Sequence, residues 1–214
     1  YPQVGLRSGT LEGTYRLQAL SIREAEQGIG LEDLTGQMEL IDLDVRDCLG
    51  AAVVVHGRGS LNMPSAALLN NGGAGLARSG GEILFVRGEL TGNGLAFEGA
   101  ANMDLGAGSF GQVTNSTFRQ GTGIRLSLAR EVLIRDNSFS DQQVGITSSD
   151  SRPQILSNRF SRNRLAMEFF GETVPVRLEL NTVHDTDRLL ENNATSEVLA
   201  TNNWWGTVDS GSIA

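Results

Sequence analysis

The chain has 214 residues, enough for one domain with a sizeable core; only 20% are charged, and 27 are glycine. Its net charge of −8 and isoelectric point near 4.8 argue against nucleic acid or an anionic membrane as the main partner, because phosphate binding needs a basic face. The same charge would repel a polyuronide unless a basic strip or a bound cation intervened. No stretch reads as a membrane span or a signal peptide. Cys48 is the single cysteine, so no internal disulfide forms, and it reads as a small core or corner side chain.

In chain order, residues Tyr1–Gly13 are expected to cover the N-terminal end of a repetitive body. From Tyr15 onward one pattern recurs nine times at roughly 22-residue intervals. Its reference positions are Leu20, Leu43, Ala66, Gly88, Ser116, Asn137, Asn158, Asn181 and Asn203. Apolar residues stand five before, three before and two after each one, as Val132, Ile134 and Phe139 do around Asn137. Gly111 alone, five before Ser116, offers no apolar side chain. A fourth column comes next, with Ile29, Val53, Leu76, Leu95, Ile124, Ile146, Met167 and Leu190, usually preceded by Gly or Ala.

The alternation is that of strands, and a repeat of this length cannot bury its own apolar face, so the copies must stack as a solenoid. Each turn holds three short strands: one ends before the reference position, one carries the +2 residue, and one starts at the Gly-apolar pair. Turns about 4.8 Å apart make a rod of roughly 40 Å. The Asn residues at 137, 158, 181 and 203 are expected to take the left-handed conformation of a sharp corner and to bond one another along the axis. A leucine-rich repeat is excluded, because connections such as Asp141–Gln143 are too short and polar for a helix. The one long gap, 28 residues between Gly88 and Ser116, predicts a loop protruding near Gly99–Gly111, with Asn102 and Asp104 as its polar groups.

The form Val132-x-Ile134-x-x-Asn137-x-Phe139, its echo at Val176–Val183, and the closing Asn202-Asn203-Trp204-Trp205-Gly206 resemble the right-handed parallel β-helix family, the superfamily of the pectate lyases. The resemblance covers about Leu11 to Gly206. It implies an all-β fold: a single-stranded right-handed parallel β-helix of about nine coils, here over residues 14–206; residues 207–214 are expected to be a C-terminal tail, truncated or continuing into a missing part. Its members range from lyases, hydrolases and epimerases to adhesins, phage tail proteins and noncatalytic periplasmic or surface proteins, so the fold does not choose among them.

Catalytic members carry their sites on outward positions of the strand that starts at the Gly-apolar pair. Counted along that strand, the first outward residues are Gly30, Val54, Ala77, Ala96, Arg125, Thr147, Glu168 and Glu191. The second outward set includes Glu32, His56 and Glu98. Glu168 and Glu191, one strand spacing apart, have the closeness of acid and nucleophile in a retaining glycosidase, or could share a Ca²⁺ that wants further oxygens. Arg125 is placed to grip a sugar carboxylate bidentately, with Thr147 between. Trp204 points opposite to the inward Trp205 and is a candidate sugar platform or end cover. Asp42, Asp44 and Asp47 have no basic partner that the sequence can place, and His56 and His184 belong to distant coils. The acidic doublets of polygalacturonases and the dense Asp cluster of pectate lyases are absent.

The expectation is therefore a noncatalytic extracellular, cell-surface or periplasmic scaffold or binding module. Its partners would be protein subunits of a larger assembly or a polysaccharide, with no nucleic acid and no membrane insertion. The alternative is a polyuronide lyase, glycoside hydrolase or epimerase using Glu168, Glu191 and Arg125.

Overall fold

In the computed structural model, which describes residues 4–94, 100–172 and 176–206, every regular element is a β-strand. Two parallel sheets of nine strands and one of eight run the length of the rod, each strand pairing with its copy one turn below and one turn above. The first sheet runs from Val4–Leu11 to Arg188–Ala194, the second from Thr14–Gln18 to Val198–Thr201, and the third from Ser21–Arg23 to Thr182–His184. A parallel bridge between Thr182 and Trp204 extends the third sheet to the last turn. Residues Val4–Leu11, within the expected cover segment, pair with Gln27–Leu34 as a rung of the first sheet.

Register follows the repeat. Phe118, Phe139 and Phe160 are partners on successive rungs, with ring centroids 4.9 and 4.8 Å apart and nearly parallel planes. The inward columns of all three sheets meet in one continuous apolar core from Ala25 to Leu189. The small residue before the fourth column has a steric cause: a Cβ on Gly123 would lie 2.2 Å from the carbonyl oxygen of Gly145. Gly111 breaks its column for a related reason. Its φ is +127°, and a Cβ there would lie 2.1 Å from the carbonyl oxygen of Ile83.

The Asn ladder forms, but at a different conformation from the one expected. The left-handed residue is the one before each reference position, as at Asp136, Ser157, Leu180 and Asn202. Asn137, Asn158 and Asn181 are buried, Asn203 at the end of the stack is half-buried, and each acts through its amide. Asn158 Nδ2 donates to Asn181 Oδ1 (3.1 Å) and to the carbonyl of Ile134 (2.8 Å), and Asn158 Oδ1 accepts from the backbone N–H of Asn137 (3.0 Å). The amide thus gives the corner N–H of Asn137 an acceptor and ties the corner to the carbonyl of Ile134 in the second sheet. A second ladder, at the other corner of the third sheet, joins Asn71, Asn93 and Asn102 through bonds of 2.8 and 2.9 Å.

Asn102 corrects the expected loop. Ala101, Asn102 and Met103 are buried, and Met103–Leu105 is a strand of the first sheet between Leu76–Ser79 and Thr122–Ser127. The extra residues of the long gap fall between Thr91 and Met103. Met103 fills the inward place that counting gave to Leu95, and Asp104 the outward place given to Ala96. Leu95, Ala96 and Glu98 lie outside the described residues.

One inward column of the first sheet carries two fully buried polar residues, Ser148 and Arg78. Arg78, between Val55 and Leu105 in register, is 1% exposed, and its Nε and Nη1 have no partner. Its Nη2 donates to the carbonyl of Gly59 at 2.7 Å, and burial pulls the guanidinium pKa down to about 10.

Candidate functional site

The first sheet brings the expected residues into one outward column. Arg125, Thr147, Glu168 and Glu191 are register partners on four successive rungs. Their charges are nevertheless largely committed. Arg125 is held by Asp104, with Nε 2.7 Å from Oδ1 and Nη2 2.9 Å from Oδ2, so it is not the free carboxylate grip that the sequence suggested. Burial pushes the Asp104 carboxyl pKa up, while Arg125 pulls it down. Glu191 is ion-paired with Arg188 within its own strand. Glu168 and Thr147 are half-buried beside one another on the same face.

Sequence counting missed Asp104 because the long gap shifted the column. It also missed Ser79, whose hydroxyl lies 2.5 Å from His56 Nδ1 on the next rung. Asp44 is not without basic partners: Arg46 Nε lies 2.6 Å from it, and Arg23 is at 3.5 Å. His184 accepts from Arg159 through Nε2 (3.0 Å), which leaves Nδ1 to donate to Asp185 (2.9 Å). Trp204 stands on the outward side of the third sheet and is 56% exposed, while Trp205 packs against the core. Among the described residues no three His, Cys, Asp or Glu side chains group as a metal site would need. No helix among them is long and apolar enough to cross a membrane.

Two concave features lie elsewhere, on the outward face of the second sheet. An open groove of about 720 Å³ runs over coils five to seven, with Phe110, Leu128, Arg130, Leu133, Arg152 and Gln154 among its walls. A second, of about 320 Å³, lies over the earlier coils on the same face, beside Tyr15, Glu39, Asn62 and Leu84. Phe110 and Leu84 are 39% and 36% exposed, and Leu199 farther along is 53% exposed. A sequence signal for this face exists. Four residues before each reference position, between two inward columns, stands an outward residue, and at Leu84, Leu133 and Leu199 it is leucine.

The right-handed β-helix family model matches residues 27–204, and the chain belongs to that family. No curated protein and no solved structure matches it.

Proposed function

We propose that this protein is a noncatalytic structural subunit: a rigid β-helical rod that joins a larger extracellular, cell-surface or periplasmic assembly through the outward face of its second sheet. The observation that carries the reading is that face itself, where half-exposed Leu84, Phe110 and Leu133 line two grooves on one flat sheet. Apolar side chains held on a stiff, flat sheet lose little entropy on association, and burying them is the gain. On the first sheet Arg125 and Glu191 are already ion-paired, to Asp104 and Arg188, which supports a scaffold rather than a polysaccharide-cleaving site.

The test is a comparison of three aspartate variants, one per face: Ala77→Asp, Leu133→Asp and Ala67→Asp. Each is produced in native cells, and extracts are separated under native conditions. Loss of the high-mass species with Leu133→Asp alone supports the reading; assembly that is indifferent to it refutes the reading.

A second reading rests on the register pairing of Glu168 with Glu191. Two carboxylates one rung apart suit acid and nucleophile roles on a polysaccharide. It predicts new reducing ends or unsaturated uronates from a polysaccharide panel, with or without Ca²⁺, and their loss in Glu191→Gln.

A further inference from the structure

We infer that the partner seated on the second sheet is a second copy of this chain, packed face to face with the two rods antiparallel. The inference rests on the proposed lateral assembly and names its first contact. The outward central column of the second sheet has a centre at Gln112, on the fifth rung. A two-fold axis through it, lying along the strands, sets each rung against the one equally far on the other side. Leu84 then faces Leu133, Asn62 faces Gln154, and Glu39 faces Arg177. Apolar meets apolar, amide meets amide, and acid meets base, while Gln112 meets itself. An isologous interface demands this kind of self-complementary pattern, because each contact occurs twice.

The alternative two-fold axis, parallel to the rod, sets each rung against its own copy. That arrangement would face Arg16 with Arg16, Glu39 with Glu39 and Arg177 with Arg177, and the like charges count against it. In the antiparallel arrangement the column beside Gln112 places Phe110 on Phe110 at the axis. On the other side Pro64 faces Leu156. The opposing terms are Glu82 facing Glu131 one rung from the axis, both exposed and screened by salt, Val86 facing Arg135, Ile41 facing Glu179, and Arg16 facing Leu199 at the ends.

The charges at the third rung from the axis are prepared for this. Arg16 Nε already lies 3.6 Å from Glu39, and Arg177 is paired with Glu179, so each end of the dimer would join two existing ion pairs into a four-charge cluster. The area is modest. Eight rung spacings by three outward columns give a footprint of roughly 40 by 15 Å, about 600 Å² per copy, at the lower edge for a specific interface. The dimer is therefore expected to dissociate in the micromolar range.

The experiment uses the purified full chain. Sedimentation equilibrium across about 1 to 200 µM should show a monomer–dimer equilibrium, weakened about tenfold or more by Leu84→Asp with an unchanged circular dichroism spectrum. Orientation is read with a short bismaleimide, since packed sheets stand about 10 Å apart, too far for a direct disulfide. Cys48 is buried and leaves little background. Gln112→Cys should link to itself, and a mixture of Leu84→Cys with Leu133→Cys should link, while neither of these links alone. Self-linking by Leu84→Cys, or a monomer at every concentration, would overturn the proposal. A monomeric chain whose Leu133→Asp variant still drops out of the native assembly sinks the dimer but leaves the lateral reading standing. If Leu133→Asp assembles normally, the lateral reading itself fails.

Discussion

Replacing Arg78 by methionine should stabilise the rod. The guanidinium is 1% exposed in the core, with Nε and Nη1 unpartnered and no carboxylate in contact. A pKa depressed from its ordinary value above 12 to about 10 corresponds to about 3 kcal/mol against the charged folded form. The substitution forfeits the bond from Nη2 to Gly59, about 1.5 kcal/mol or somewhat more for a charged donor. That carbonyl keeps a second donor, the backbone N–H of Glu82 at 3.1 Å, so no buried acceptor is orphaned. Methionine is flexible, and its rung partners Val55 and Leu105 are apolar. The net expectation is a gain of about 1–2 kcal/mol.

The pH dependence is part of the same prediction. A base whose folded pKa is depressed penalises the fold at every pH below that value, and the penalty fades as pH climbs from about 10 toward the unfolded value. Urea unfolding followed by circular dichroism at pH 5, 7 and 9 should therefore show the same gain at all three. A variant less stable than the parent, or a gain that varies between pH 5 and 9, would refute the reasoning and mean that something else compensates the buried charge.

Other perturbations probe the repeat itself. Phe139→Ala removes the middle ring of the three-ring stack and should cost about 3–5 kcal/mol, read by urea unfolding, with Phe139→Leu costing clearly less. Asn158→Ala removes a buried amide that bonds groups on three turns, and should cost about 2–3 kcal/mol in the same assay. Leu180 holds a left-handed φ of +59° while its side chain is 59% exposed, so Leu180→Gly should raise the thermal midpoint, by about 0.5–1 kcal/mol of stability. Asp150 accepts from the N–H of Glu172 and from Ser149, which holds its carboxyl pKa below the usual range. A depressed carboxylate contributes stability that is present at neutral pH and lost as pH falls through its folded pKa. Asp150→Asn should therefore be less stable at pH 7 and converge with the parent in acid.

The fold was legible because a stacked repeat writes its core into the sequence at fixed offsets. Ile134 and Phe139 had to be inward, since each meets an equivalent residue one turn away. Counting failed where a turn changed length. Between Gly88 and Ser116 the eye lands on Leu95, but the register is set by hydrogen bonding, and Met103 and Asp104 win because Asn102 is captured by the ladder from Asn93. That single slip made Arg125 look free. The left-handed corner residue was misassigned for a different reason. Asn suits both a strained φ and a buried amide bond, and sequence alone does not separate the two demands; at Leu180–Asn181 the structure divides them between neighbours. The lateral face was readable in principle at the offset of −4. It carries leucine, amide and charge by turns, and its significance appears only when the rungs are set in order.

The most direct test of the account is hydroxyl-radical footprinting of the protein in its native assembly against the isolated chain at low concentration. Leu84, Phe110 and Leu133 on the second sheet should lose reactivity on assembly, while Trp204 on the third sheet should keep it. Protection at Trp204 with none at Leu84, Phe110 and Leu133 would contradict the assignment of the second sheet as the contact surface.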